Sequence, residues 1–211
     1  GSLASTSLAP GLAPPEWGWW TNLVGFAIDA ECEAGDVRSP KIQVHRAKLA
    51  GAWHGPNFEL RGLKAELYGG RLEGDAKLDV NSRRVSANAW LNFDVHKASD
   101  VMTEGGRRWL GQFSWSTPPE VSATAAATLP SWTNKAPDWR GEVLPTLSLS
   151  GRFEGTNGAG YKGLEALSGS SHFIYSNMTW RLPDLVLNRP EGRLVAEHVA
   201  NDRTRDYYWK L

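Results

Sequence analysis

Phe58-Glu-Leu-Arg-Gly-Leu-Lys-Ala-Glu-Leu-Tyr-Gly-Gly-Arg-Leu-Glu-Gly-Asp-Ala-Lys-Leu-Asp-Val80 reads as a β-hairpin. Apolar and polar residues alternate on both sides of Gly69-Gly70, which reads as a two-residue turn. That turn sets Leu67 opposite Leu72, Ala65 opposite Gly74 and Leu63 opposite Ala76, so apolar meets apolar on one face. The parity then slips, because the next apolar residues are Leu60 and Phe58. A one-residue bulge near Gly62 restores it, with Leu60 facing Leu78 and Phe58 facing Val80. A bulge at glycine also bends the sheet.

The next segment extends the pattern. Across a polar loop, Asn81-Ser-Arg-Arg84, the residues Val85, Ala87, Ala89, Leu91 and Phe93 alternate without a break. Pairing across that loop sets Val80 against Val85, Leu78 against Ala87 and Ala76 against Ala89. Three strands then share one apolar face, while Lys64, Glu73, Asp75, Asn88 and Trp90 fall on a wet one. Such a sheet must cover its apolar face with a second layer, a helix or a ligand.

The hairpin recurs. Trp180–Asn201 aligns without a gap on Phe58–Asp79, matching Trp180 to Phe58, Leu182 to Leu60, Leu185 to Leu63 and Leu194 to Leu72. Leu187 continues the apolar set. The parity slip recurs too, with Asp184 where Gly62 stood. The turn is Arg189-Pro-Glu-Gly192, which demands a different turn type. The expected fold is all-β: a mainly antiparallel, curved meander of repeated bulged hairpins.

The rest of the chain is fitted around this unit. Residues 1–16 read as a tag remnant and flexible lead, and 17–211 as a single β-rich domain. The Trp17–Ile28 stretch is expected to cover one end of the sheet or, alternatively, to contact a membrane surface. Strand signals run through Ile42 and Val44 to Leu49 and Trp53, then turn at His54–Asn57. Ala98–Phe113 reads as helical, capped by Ser99 or Asp100 and broken in two at Gly105-Gly106. A Trp/Pro-rich insertion covers about 116–145, with Val121–Leu129 alternating as a narrow-faced strand and the remainder a loop with Trp plugs. Leu147–Phe153 is a further strand. Gly155–Gly160 is a turn, and Tyr161–Leu167 and His172–Arg181 continue the sheet.

Composition narrows the function. The 211 residues carry 23 Lys+Arg and 23 Asp+Glu, a balance that does not suggest nucleic-acid binding. No apolar run is long enough to cross a bilayer, and the chain reads as a soluble piece of something longer. The single cysteine, Cys32, excludes an intrachain disulfide framework and a cysteine metal cluster.

No motif supports catalysis, so the chain reads as a non-enzyme without cofactor or metal. The Gly155–Gly163 loop fails the P-loop pattern, because Tyr161 rather than Lys follows Gly160 and no apolar strand-to-helix context surrounds it. Asp94 and His96 share a face as a candidate metal or acid–base pair, but no third ligand is evident. His198 takes the place of Ala76 and reads as a satisfied core histidine. Glu31, Glu33 and Asp36 pair no better than the acids of any β protein. The 11 tryptophans leave two alternatives to consider. One is a structural scaffold with a closed core, and the other a glycan-binding module using Trp17, Trp19 or Trp20.

Leu60-x-x-Leu63-x-Ala65-x-Leu67-Tyr68-Gly69-Gly70-x-Leu72-x-Gly74-x-Ala76-x-Leu78-Asp79 resembles the hairpin motif of AsmA-like proteins. That family belongs to the group that includes TamB and the bridge-like lipid transfer proteins. The similarity covers about Phe58–Leu110 and, in part, His172–Asp202. The resemblance implies an envelope protein of diderm bacteria, anchored in the inner membrane by a segment absent here and facing the periplasm. It implies a curved sheet whose apolar face binds or conducts phospholipid or other acyl lipid without covalent chemistry. The residues expected to face lipid are Phe58, Leu60, Leu63, Ala65, Leu67, Leu72, Ala76 and Leu78. Val85, Ala87, Ala89, Leu91 and Phe93 continue that face, as do Leu185, Leu187 and Leu194 in the second copy.

Overall fold

The computed structural model describes residues 16–39, 43–102, 104–161 and 163–211. The expected lead up to Pro15, and Ile42 among the strand signals, lie outside them. The fold is mostly antiparallel β, built on one large open sheet of 11 strands. In chain order these are β1 (Ala27–Arg38), β2 (Gln43–His54), β3 (Asn57–Leu67), β4 (Gly70–Asp79) and β5 (Arg84–Leu91). After the short β6 (Phe113–Trp115) come β7 (Glu120–Thr128) and β8 (Ser148–Gly155). After β9 (Ala159–Tyr161) and β10 (Leu164–Ala166) come β11 (Ser168–Ser176), β12 (Thr179–Arg189), β13 (Gly192–Asn201) and β14 (Tyr207–Lys210). Each strand of the large sheet lies beside its predecessor, so the sheet is a meander. Strands β6, β9 and β10 leave it to form a small sheet of their own.

The β3–β4 hairpin forms with its bulge in the expected place. Leu63 pairs with Gly74 and Leu60 with Ala76, so Arg61 and Gly62 together oppose Asp75. Gly62 has φ +58, and its backbone N–H donates to Asp75 Oδ1 at 2.7 Å. The strand register differs from expectation by two residues. The turn is Tyr68-Gly69, with φ 49 and 81, and it sets Ala65 opposite Leu72 and Phe58 opposite Leu78. Both central residues of this tight turn need positive φ, and Tyr68 adopts it. Gly70 is a glycine for another reason. A Cβ there would lie 2.6 Å from Asn92 O and from Phe93 Cα, so the chain leaving β5 requires its absence.

The same two-residue shift carries into β5. Leu78 pairs with Val85, Ala76 with Ala87 and Gly74 with Ala89. Val80 leaves the strand and becomes the most deeply buried apolar side chain, 1 % exposed. A shift of two preserves the face of every side chain, which is why the apolar face survives the error.

The second copy matches the first pair for pair. Leu185 pairs with Ala196, Leu182 with His198 and Trp180 with Ala200, leaving Pro183 and Asp184 opposite Glu197. The turn residues are Pro190 and Glu191, neither with positive φ, so the turn type does differ. In both copies the extra residue is also extra against the other neighbour, β2 for β3 and β11 for β12.

Other elements differ from the sequence reading. Strand β1 escaped it altogether. Residues Val95–Val101 form a 3₁₀ helix capped by Asp94, whose carboxylate accepts from His96 N, rather than by Ser99 or Asp100. A short α1 (Glu104–Leu110) carries Gly105-Gly106 inside it, so the break falls before the glycines. Phe113 belongs to β6, and Val101 is exposed. Residues His172–Arg181 are not one strand, because Asn177-Met178, both at positive φ, turn the chain between β11 and β12. The Gly155–Gly160 turn contains most of β9.

Candidate functional site

Cross-strand pairing carries one apolar face through the sheet. Leu63, Gly74, Ala89, Ala123 and Gly151 stand in one row, and Phe58, Leu78, Val85, Ala127 in another. All the residues expected to face lipid on strands β3, β4, β5, β12 and β13 lie on this face. They do not share one environment.

At one end, Ala65, Leu67, Phe93 and Ala98 form a buried cluster, with Leu72, Leu91, Val95 and Tyr68 packed against it. Here the chain leaving β5 folds back over the face. At the other end, Trp17, Trp53 and Val80 are buried, with Phe58, Leu78, Trp20, Leu23 and Trp132 around them. The 3₁₀ turn Gly18–Leu23, entered at Trp17, brings in Trp17, Trp20 and Leu23. Trp20 stacks on Trp53 at 5.3 Å, and Trp17 meets Trp53 edge-on at 6.1 Å. Three indole N–H groups tie the plug to the chain: Trp53 donates to Leu23 O, Trp132 to Val80 O and Trp17 to Asn81 Oδ1. Buried indoles usually find such partners, although Trp20 Nε1 in the same plug has none among the described residues. Trp17 and Trp20 are therefore packed in the plug, whereas Trp19 is exposed and stacks on Trp20. Trp132 serves as the expected plug, and Trp139 is exposed.

Between the two clusters, Leu60, Leu63, Ala76, Val85, Ala87 and Ala89 are only half-buried. Neither cluster reaches Leu60, Leu63, Ala76, Val85, Ala87 or Ala89. Toward β12, Leu185 and Ala196 are buried, while Leu187 and Leu194 are half-buried. Phe173 stacks on Trp180 at 5.7 Å. Tyr175 gives its O–H to Asp202, and burial, helped by that carboxylate, pushes its phenol upward.

The opposite face carries a large, open hollow. A trough of about 1100 Å³ crosses β3, β4, β5, β7, β8, β11 and β12 along the row of the two bulges. It touches the row residues Leu63, Gly74, Ala89, Ala123, Gly151 and Phe173 themselves and, on either side of them, residues such as Glu73 and Asp75 or Ser122 and Thr124. The apolar neighbours two along, including Leu72, Val121 and Phe153, do not line it. By strand alternation the trough therefore opens on the wet face. At its far end, Asp184 accepts from His172 N at 2.7 Å, from His172 Nδ1 at 2.6 Å and from Ser171 Oγ at 3.1 Å. Partial burial works to raise the Asp184 carboxyl, but these donors outweigh it and hold it below the usual carboxylate range.

The remaining candidates are accounted for by packing. Asp94 caps its helix turn and accepts from Trp115 Nε1, while the His96 ring lies against Trp115 at 4.3 Å. His198 faces the apolar side, as its place in the repeat implied, and stacks on Trp209 at 4.0 Å. Its Nδ1 meets Tyr208 O. Among the described residues, no three His, Cys, Asp or Glu side chains gather as a metal site. No described helix is long and apolar enough to cross a membrane. The trough was missed in the sequence because its residues look like an ordinary solvated strand face.

No protein-family description, curated protein or solved structure matches the chain.

Proposed function

We propose that the middle of the apolar face binds the acyl chains of phospholipid, as a non-catalytic lipid-handling segment of an AsmA-like envelope protein. One observation carries the reading. Between two plugs of its own side chains, the sheet leaves continuous rows of small and aliphatic residues partly exposed to solvent. A soluble protein loses free energy by leaving such a surface wet, at roughly 25 cal/mol per Å². Small residues at Gly74, Ala76, Ala87, Ala89, Ala123 and Ala125 keep the floor low enough for a chain to lie across them. In this reading the parent protein sits at the inner membrane of a diderm bacterium, faces the periplasm and moves lipid without covalent steps.

The two buried clusters favour a second reading, a scaffold whose face is closed by its own core. Native mass spectrometry of protein purified from bacterial cells separates the two. Co-purifying phospholipid, and uptake of a labelled phospholipid that Ala87→Trp blocks, support lipid handling. A ligand-free protein that takes up no labelled lipid favours the scaffold.

A further inference from the structure

We infer that the wet-face trough is a binding site for an extended, neutral glycan strand. It is separate from the proposed lipid face, since the two lie on opposite sides of the same sheet. Its length comes from the topology. Seven strands joined by six steps of about 4.8 Å give a run of about 29 Å, long enough for several sugar rings in line.

Its chemistry is unusual for a solvated sheet. Much of the rest of this face is charged, with Lys77, Glu66 and Arg71 on neighbouring positions, while Ser86, Ala126 and Ser148 are not. The middle of the trough, on β5 and β7, is not. It presents Asn88, Trp90, Ser122 and Thr124, followed by Ser150 on β8. Hydroxyl and amide groups both donate and accept, as sugar hydroxyls require. The Thr124 and Ser150 hydroxyls already pair at 3.0 Å, so the floor is set before a ligand arrives. Trp90 is the one indole on this lining, and an indole offers a flat apolar surface with a polar edge. A smaller hollow of about 340 Å³, lined by Ser86 and Ser148, adjoins it and shares Asn88 and Thr124.

Charge argues against a polyanion. Lys64 and Arg152 are offset by Glu73, Asp75 and Asp184 along the lining. Such a surface does not concentrate phosphates. Both ends are held by the bulges. Asp75 is fixed by Gly62 N–H, and Asp184 by His172 and Ser171, leaving His172 Nε2 as the ring's remaining polar atom. A rigid site spends less of its binding energy on ordering.

Isothermal titration with chitohexaose and cellohexaose, following a screen of neutral linear glycans, tests the site. The expected result is binding of at least one hexasaccharide, with the matching disaccharide at least tenfold weaker. Trp90→Ala should weaken it at least tenfold and Thr124→Lys should abolish it, whereas Trp19→Ala should leave it unchanged. Trp90 and Thr124 lie on a solvated face, and two variants keep the readout if one proves unstable. A screen without a neutral glycan hit would overturn the inference. So would binding that survives both variants, or binding restricted to polyanions or peptides.

Discussion

Gly62→Ala isolates the backbone cost of the bulge that keeps this sheet one-faced. Gly62 sits at φ +58, and a Cβ added there meets no atom within 4 Å. The substitution therefore adds no clash, only the left-handed conformation, which costs an L-residue about 1–2 kcal/mol. For a chain of this size that is a melting-temperature drop of about 2–8 °C. Gly62→Asn should cost less, because its short polar side chain tolerates this region better. Deleting Gly62 tests the other half of the argument. Without the extra residue, Phe58 and Leu60 turn to the wet face or drag β3 out of register with both β2 and β4. Both side chains are largely but not fully buried, so the loss is somewhat less than the roughly 1.5–3 kcal/mol each would give if fully buried, plus the disrupted pairing. Urea titration followed by tryptophan fluorescence measures all three variants. The order of stability should be wild type, Asn, Ala, deletion. A neutral Gly62→Ala, or a deletion milder than the substitution, would refute the reasoning.

Trp53→Ala should destabilise by about 3–5 kcal/mol in the same titration, because it empties the centre of the indole plug and removes the bond to Leu23 O. Gly70→Ala should cost about 1–3 kcal/mol, since its Cβ would press on the backbone of Asn92 and Phe93, which cannot swing aside as a side chain can. The Asp184 carboxyl is held below its ordinary value. Its contribution is therefore present above the unfolded-state value and is lost as the pH falls through the lowered folded-state value. Asp184→Asn should flatten that acid-side loss in melts recorded from neutral pH downward. The effect should be small, because the side chain is 48% exposed.

The apolar face was legible because alternation is a property of the chain itself. Phe58 to Phe93 declare it, and the bulge announces itself as a parity slip. The exact partners were not legible, since Tyr68-Gly69 and Gly69-Gly70 are both plausible turns by composition. Only the approach of Asn92 and Phe93 to Gly70 decides between them. Strand β1 was missed because, apart from Ile28 and Val37 near its ends, this exposed edge strand is mostly Ala, Glu, Asp and Gly and shows no alternation of burial. Val80 looked like the end of a strand and is instead part of the plug, a contact made by Trp132 from far along the chain. The trough was invisible for the same reason. Asn88, Trp90, Ser122, Thr124 and Ser150 come from three separate strands, and nothing local says that they line one hollow.

Photocrosslinking tests the central proposal most directly. The probe is a phospholipid with a photoreactive group midway along one acyl chain, incubated with the protein and activated, and the adducts are mapped by peptide mass spectrometry. Lipid handling by the apolar face predicts adducts at Leu63, Ala76, Ala87 or Ala89, lost in Ala87→Trp. Absence of adducts, or adducts confined to Ser86, Asn88 and the rest of the wet face, would contradict it.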